Sequence, residues 1–375
     1  MERRSVMKRD FSAVQRVVVK VGTNLLSEHN GINIERIEQV VTDIVALRER
    51  KIQVLLVSSG AIGLGAKELG IKSAVKRIAL RQACASIGQP LLMSHYRTAF
   101  KQHNVICSQI LLTRSEMNQR KTFVNLKNSI TTLLDIGVVP IINENDVVST
   151  AEIGTAFGDN DRMSAFVASK IDADLLIILT DIAGLYTKDP RQNNDAQLLT
   201  EIVKIDDTIL SYAGSAGSVF ATGGMKTKVL AAKIASTAGC ATVIASGYED
   251  QVLSRIHSGE VLGTYFHAEK TLKQRSRWII NSSPEGTIWI DAGAVEALRH
   301  HNSLLPSGIV AVEGVFHAGD VVMINKVAKA VPYYNSTEIM EMAGCQSKDI
   351  PKHVRKGKAD VIFRPEDIVF LDYAE

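Results

Sequence analysis

Cysteine is scarce in this sequence. Cys84, Cys107, Cys240 and Cys345 are its four cysteines, and no two stand at CxxC spacing. That excludes a disulfide framework or zinc site readable from pattern, and it fits buried or neutral thiols in a reducing compartment. Long apolar runs are missing too. After the basic stretch Met1–Asp10, the run Val17-Val18-Val19 is cut by Lys20, too short for a signal-peptide core. No stretch approaches a membrane span. A formal charge of +3 on 375 residues argues for neither a nucleic-acid nor a membrane partner. Low-complexity tracts and internal repeats are absent. What remains is a balance of 46% hydrophobic and 22% charged residues, which predicts a globular cytoplasmic protein with a sizeable core.

Short β-branched runs alternate with helical patterns up to about Phe266. Arg16–Val19, Val54–Val57, Ile106–Leu112, Val138–Ile142, Leu175–Leu179 and Thr242–Ala245 read as buried strands. Ile34, Ile37, Val41, Ile44 and Leu47 recur at helical spacing, and Phe123–Leu134 and Lys228–Thr237 read as further helices. Such alternation predicts an α/β fold, a mostly parallel sheet sandwiched by helices. The pattern changes in the basic stretch Lys270–Arg277. Beyond it, Thr287–Ile290, Ile309–Val315, Asp320–Ile324 and Asp360–Phe363 read as short strands, with helices at Ala294–His300 and Ser336–Ala343. The expected organisation is a catalytic domain over residues 1–268, a linker over 269–277 and a small, mainly β domain over 278–375.

Six turns after strands are rich in Gly, Ser, Thr, Asp and Asn. They are Lys20–Thr23, Ser58–Gly63, Asn143–Asp146, Gly158–Asp161, Thr180–Asp181 with Gly184–Pro190, and Thr222–Lys228. In open α/β sheets ligands bind at the carboxyl ends of the strands, so these turns predict one convergent site. Thr222–Lys228 is a glycine-rich turn ahead of a helix, suited to phosphate, yet GxxxxGK[ST] is absent and Gly60, Gly63 and Gly65 miss the GxGxxG spacing. Singly, each feature has an ordinary reading. Lys20 fits a surface lysine, Ser59-Gly60 a tight turn, Asp146 a turn former, Asp159–Asp161 a helix cap, Tyr186 core packing. Together, at successive strand ends of one domain, they point to a kinase with a phosphate cradle of its own.

The blocks VVVKVGTNLL, SSGAIGLG, VPIINENDVVSTAEI, FGDNDRMSA, LLIILTDIAGLYTKDP and ATGGMKTK, spanning Val17 to Lys228, resemble the amino acid kinase superfamily. Within it they look like the branch that phosphorylates the side-chain carboxylate of free L-glutamate at the start of proline synthesis. The tail from about Arg277 resembles a PUA domain. The resemblance implies ATP with Mg²⁺ and no dedicated protein metal site. It implies catalytic Lys20, Lys228 and Asp161, with Asp161 holding both lysines. It assigns Ser59, Asp146 and Asn160 to the substrate. To ATP it assigns Lys20, Gly22, Gly60, Thr180, Asp181, Thr222, Gly223, Gly224, Met225, Lys226, Thr227 and Lys228, the backbone N–H groups of Gly22 and Gly60 approaching the phosphates.

It further implies proline as feedback inhibitor, a homo-oligomer, and a reductase that takes up the product. The stretch Glu152–Phe157 looks long for the family and is expected to lengthen a lid over the substrate. Aspartate, acetylglutamate and uridylate kinases are the nearest alternatives, and NENDVVSTAE and FGDND argue against them. An RNA-binding role through the PUA-like tail is the alternative of another class. From Trp278 to Glu375 nine Lys/Arg face thirteen Asp/Glu, a net of −4, with Lys348–Lys358 the one basic cluster. That balance disfavours RNA.

Overall fold

The computed structural model describes residues 9–28, 31–113, 116–117, 120–148, 160–214, 224–269, 274–346, 349–350, 354 and 361–371. The expected lid 152–157, with Gly158, Asp159, Thr222 and Gly223, lies outside them, as does most of the basic cluster 348–358. The chain divides into two compact units, Met1–Arg114 with Leu126–Thr271, and Ser115–Asn125 with Leu272–Glu375.

In the first unit the chain runs through β1 (Arg16–Val21), α1 (Thr23–Leu26), the small pair β2 (Ser27–Glu28) and β3 (Gly31–Ile32), and α2 (Ile34–Glu49). β4 (Gln53–Val57), α3 (Ala61–Glu68), α4 (Ile78–Gln102), β5 (Cys107–Leu112), α5 (Arg120–Asp135, belonging to this unit from Leu126 on) and β6 (Val139–Glu144) follow. Then come α6 (Asn160–Lys170), β7 (Leu175–Thr180), β8 (Glu201–Ile202), α7 (Asp207–Gly214), α8 (Met225–Thr237), β9 (Ala241–Ser246), α9 (Val252–His257) and β10 (Thr264–Phe266). The eight-stranded sheet has the order β5-β6-β4-β1-β7-β9-β10-β8. Its pairings are parallel except β9 with β10. All six residues of β7 are buried, as a strand covered on both faces requires. Val17, Val19, Leu56, Ile141, Ile177 and Val243 form the centre of one core with Ile37, Ile44 and Leu47 of α2.

The strands and helices run further into the polar turns than their apolar stretches suggest. Lys20 is inside β1, paired with Val57 and Ile178. Asn143 lies inside β6 and Thr180 ends β7, while Asn160, Asp161, Thr227 and Lys228 are helical. A polar residue continues a ladder as well as an apolar one, because backbone groups make the bonds.

Helices α3 and α4 cross almost backbone to backbone. A Cβ on Gly65 would stand 1.8 Å from Cys84 O, and one on Gly88 1.8 Å from Ala61 O. This crossing fixes the start of α3, where Gly60 sits at a φ of 105°, a left-handed conformation that favours glycine.

The second unit contains α10 (Gln274–Asn281), β11 (Gly286–Ile290), α11 (Ala292–Arg299), β12 (Ile309–Gly314), β13 (Val322–Ile324), β14 (Ala328–Ala330), α12 (Ser336–Met342) and β15 (Ile368–Phe370). Its five strands take the order β12-β11-β13-β14-β15. The strand expected at Asp360–Phe363 is not formed among the described residues there. Phe363 makes only an isolated bridge to Leu304, and the edge is β15. Part of the basic stretch 270–277 is helical, as α10 begins at Gln274. Phe123 joins Trp278, Ile279, Val321, Val331 and Val369 in a small cluster of this unit. Buried Asp367 meets Arg275 and accepts a hydrogen bond of 2.5 Å from the Tyr333 hydroxyl.

Candidate active site

Strands β1, β4, β6 and β7 are neighbours and parallel, so their carboxyl ends open on one place. Lys20 arrives from β1, Asp161 from the first turn of α6 and Lys228 from the first turns of α8. All three are buried, Asp161 completely. Asp161 Oδ1 meets the Lys20 ammonium, and Asp161 Oδ2 accepts from Lys228 Nζ at 3.0 Å and from Thr227 Oγ1 at 3.1 Å. Burial by itself raises the Asp161 pKa, but the two ammonium groups outweigh it and hold the carboxyl below its ordinary value. Two cations against one anion leave a positive charge in excess at a place lined with helix N-termini. That is a donor set for phosphate.

Gly22 lies beside this cluster. Its N–H donates to Leu179 O at 3.3 Å, so the sheet engages the donor that the resemblance turns toward phosphate. A Cβ there would stand 3.5 Å from Lys20 Nζ, an ordinary contact, so the bare Cα instead leaves room next to the ammonium. Gly60 opens α3 with no side-chain cap, which leaves the first N–H groups of that helix to a ligand. Gly224 does the same for α8, with Met225 buried behind it and Lys226 exposed. Thr180 Oγ1 donates to Asp181 Oδ1 at 3.1 Å. Asp181 Oδ2 accepts from Asn24 at 3.5 Å and Arg191 at 3.2 Å. Burial opposes ionisation of Asp181, and these bonds with the Arg191 charge lower its pKa nonetheless.

The other side of the site is neutral. Asn160 Nδ2 donates to Ser58 O at 2.8 Å, to Ser59 Oγ at 2.7 Å and to Asn143 Oδ1 at 3.1 Å. Ser58 Oγ is 2.9 Å from the Tyr96 hydroxyl, which burial pushes to a higher pKa. Asp146 stands in the turn after β6, half-buried, with no hydrogen bond among the described residues. Burial raises its pKa, and Arg81 only partly offsets this. Among the described residues no three His, Cys, Asp or Glu side chains cluster to hold a metal ion. No described helix is long and apolar enough to cross a membrane.

The structure thus joins Lys20, Asp161 and Lys228 in one cluster, with Gly22 beside it, and joins Ser59 to Asn160 in another. Asn143, Gln89, Tyr96, Asn24 and Arg191 take part without having been singled out. Asn143 lay in a recognised turn. Gln89 and Tyr96 lie inside a long helix, and nothing local in the sequence marks them.

The amino acid kinase family model matches residues 15–246 and the PUA domain model residues 286–354. A glutamate 5-kinase of Methanosarcina acetivorans is 45% identical over 375 residues, covering 96% of this chain and 97% of that protein. One of Caldanaerobacter subterraneus is 41% identical over 369 residues, 96% and 99% of the two chains. A solved carbamate kinase from Giardia lamblia is 20% identical with a TM-score of 0.49, covering 69% of this chain and 100% of that one. The chain therefore belongs to the amino acid kinase family, in its glutamate 5-kinase group, and carries a PUA domain after the kinase domain.

Proposed function

We propose that this protein transfers the γ-phosphoryl group of ATP to the γ-carboxylate of L-glutamate, giving L-glutamyl 5-phosphate at the first step of proline synthesis. The buried Lys20–Asp161–Lys228 cluster at the carboxyl ends of the central strands carries this reading. A glutamate side chain ionises near pH 4, so at neutral pH the nucleophile needs no general base. The work is to bring two anions together and stabilise charge on the group in transit. Lys20 and Lys228 supply that charge from two sides. Asp161 stays ionised between them and fixes their positions.

Gly22, Gly60, Thr180, Asp181 and the Thr222–Lys228 segment take the nucleotide. Mg²⁺ bound with the nucleotide would neutralise phosphate charge beside the Lys20 and Lys228 ammonium groups. Ser59, Asp146 and Asn160 take glutamate, Asp146 pairing with the α-ammonium. Proline, with the same α-amino-acid head, competes on the Asp146 side. The enzyme works in the cytoplasm as a homo-oligomer, and its reactive acyl phosphate passes to a reductase. Residues 1–268 carry the chemistry and 278–375 form an appendage.

The test is ATP consumption across glutamate, aspartate, N-acetylglutamate and UMP, with hydroxylamine trapping of the acyl phosphate. Glutamate-dependent turnover with a trapped hydroxamate is expected. Turnover only with another acceptor would overturn the reading.

A further inference from the structure

The neutral side of the site continues through a chain of amides toward β5. Asn143 Nδ2 donates to Gln89 Oε1 at 2.8 Å, and Gln89 Nε2 donates to Gln109 Oε1 at 3.2 Å. Gln89 and Asn143 are both buried. An amide presents an acceptor at one end and a donor at the other, so each member constrains the next. Two backbone groups set the direction. The Glu144 N–H, which only donates, points at Asn143 Oδ1 at 2.9 Å. The Ser58 carbonyl, which only accepts, takes Asn160 Nδ2.

With Oδ1 of Asn143 directed to Glu144 and Asn160, its Nδ2 must find an acceptor inside the protein, and Gln89 provides it. The consequence reaches the substrate side. Asn160 spends both N–H bonds on Ser58, Ser59 and Asn143, and its Oδ1 has no partner among the described residues. Ser59 Oγ accepts from Asn160, and its own hydrogen has no acceptor among the described residues.

We propose that Gln89 is a positioning residue for the acceptor substrate. Through Asn143 it holds the Asn160 amide with its donor end on the protein and its acceptor end toward the ligand. The site then offers an acceptor, Asn160 Oδ1, beside a donor, the Ser59 hydroxyl. That pair matches a ligand carrying a hydrogen-bond donor next to an anionic oxygen, as the ammonium and carboxylate of an amino acid head do. Helix α4 supplies the rigidity, because Gly88, next to Gln89, packs against the backbone of α3. The inference rests on the reading of this site as one for an amino acid acceptor.

Gln89→Met keeps the length of the side chain and removes the acceptor. A buried Asn143 donor left without a partner loosens the Asn143 amide and weakens the bond through which it holds Asn160. We expect the KM for glutamate to rise on the order of tenfold, with the KM for ATP within about twofold. Gln89→Glu keeps the acceptor and should recover most of that loss. Gln109→Leu, one step further from the site, should shift the glutamate KM in the same direction by less, and it serves if Gln89→Met does not fold. A merely structural role would move both KM values together or lower kcat alone, with no recovery by Glu. Either of those outcomes, or an unchanged glutamate KM in Gln89→Met and Gln109→Leu, overturns the proposal. The parent enzyme assayed alongside separates the two failures. A parent inactive on glutamate rejects the assigned reaction, whereas an active parent with no such split rejects the role of Gln89.

Discussion

The two buried polar groups of the site are built from opposite materials. On one side Lys20, Asp161, Thr227 and Lys228 concentrate charge. On the other, Ser58, Ser59, Asn160, Asn143 and Gln89 pass hydrogen bonds between neutral groups. The difference follows from what each is proposed to meet. Charge on a phosphoryl group in transit changes during the reaction, and fixed ammonium groups in a low-dielectric place act on such change. The head of an amino acid does not change during transfer, so what it requires is direction, and an amide chain anchored on backbone supplies direction. Interactions strengthened in the transition state appear in kcat, and uniform binding appears in KM. The charged side should therefore govern kcat and the neutral side the KM for the acceptor.

The largest effect expected is on the charged side. Lys20→Ala should lower kcat roughly a hundredfold or more, as removal of a preorganised donor at developing charge does. Arginine at this position should rescue poorly, since a planar fork is not an ammonium point charge. Steady-state kinetics with ATP and glutamate varied in turn give both numbers. Asp161→Asn should also cost kcat. Combined with Lys20→Ala it should cost less than the two separate free energies added, because the residues act as a unit. Additive losses would separate Asp161 from the lysines.

Next in size is Asp146→Asn. Loss of a charge-assisted contact with the substrate ammonium should cost about 1.5–3 kcal/mol, read as a rise in glutamate KM with ATP KM unchanged. A pH profile sharpens this. Burial raises the Asp146 pKa above its ordinary 3.8, so its carboxylate is lost earlier than usual as pH falls. In the proposed role the ionised form pairs with the ammonium, so glutamate KM should rise toward acid pH in the parent. In Asp146→Asn that component of the profile should vanish, and a parent-like acid limb in the variant would remove Asp146 from the contact.

The smallest kinetic effect belongs to the second unit. Tyr333→Phe removes the hydrogen bond to buried Asp367, a loss of about 1–3 kcal/mol in stability. Thermal unfolding should register it, while kcat and both KM values at moderate temperature stay near the parent. A kinetic change with unaltered stability would tie the second unit to the site.

Much of this was legible in the residues themselves. Strands such as Leu175–Thr180 are continuous apolar runs, and burial on both faces is what such runs require. Lys20 and Lys228 stood in recognisable blocks at strand and helix ends. Helix α4 was not legible. It contains Pro90, and Gly88 at its one close crossing with α3, and its buried face mixes Cys84, Gly88 and Gln89 with apolar residues. Gln89 was hidden for the same reason, since its meaning depends on Asn143, 54 residues away. The strand at Ala328–Ala330 is three residues long with no β-branched side chain, and its partners alone define it. The Gly22 N–H shows a different limit. A motif locates a glycine, but whether its donor is free depends on the neighbouring strand.

The division of labour is tested most directly by Lys228→Ala beside Asp146→Asn, with kcat and both KM values measured in one set of assays. Lys228→Ala should lose roughly a hundredfold in kcat with both KM values little changed. Asp146→Asn should raise the glutamate KM with kcat little changed. A Lys228→Ala enzyme with near-normal kcat and a raised KM for ATP would contradict that division, making Lys228 an anchor for the nucleotide rather than a group that acts on the transition state.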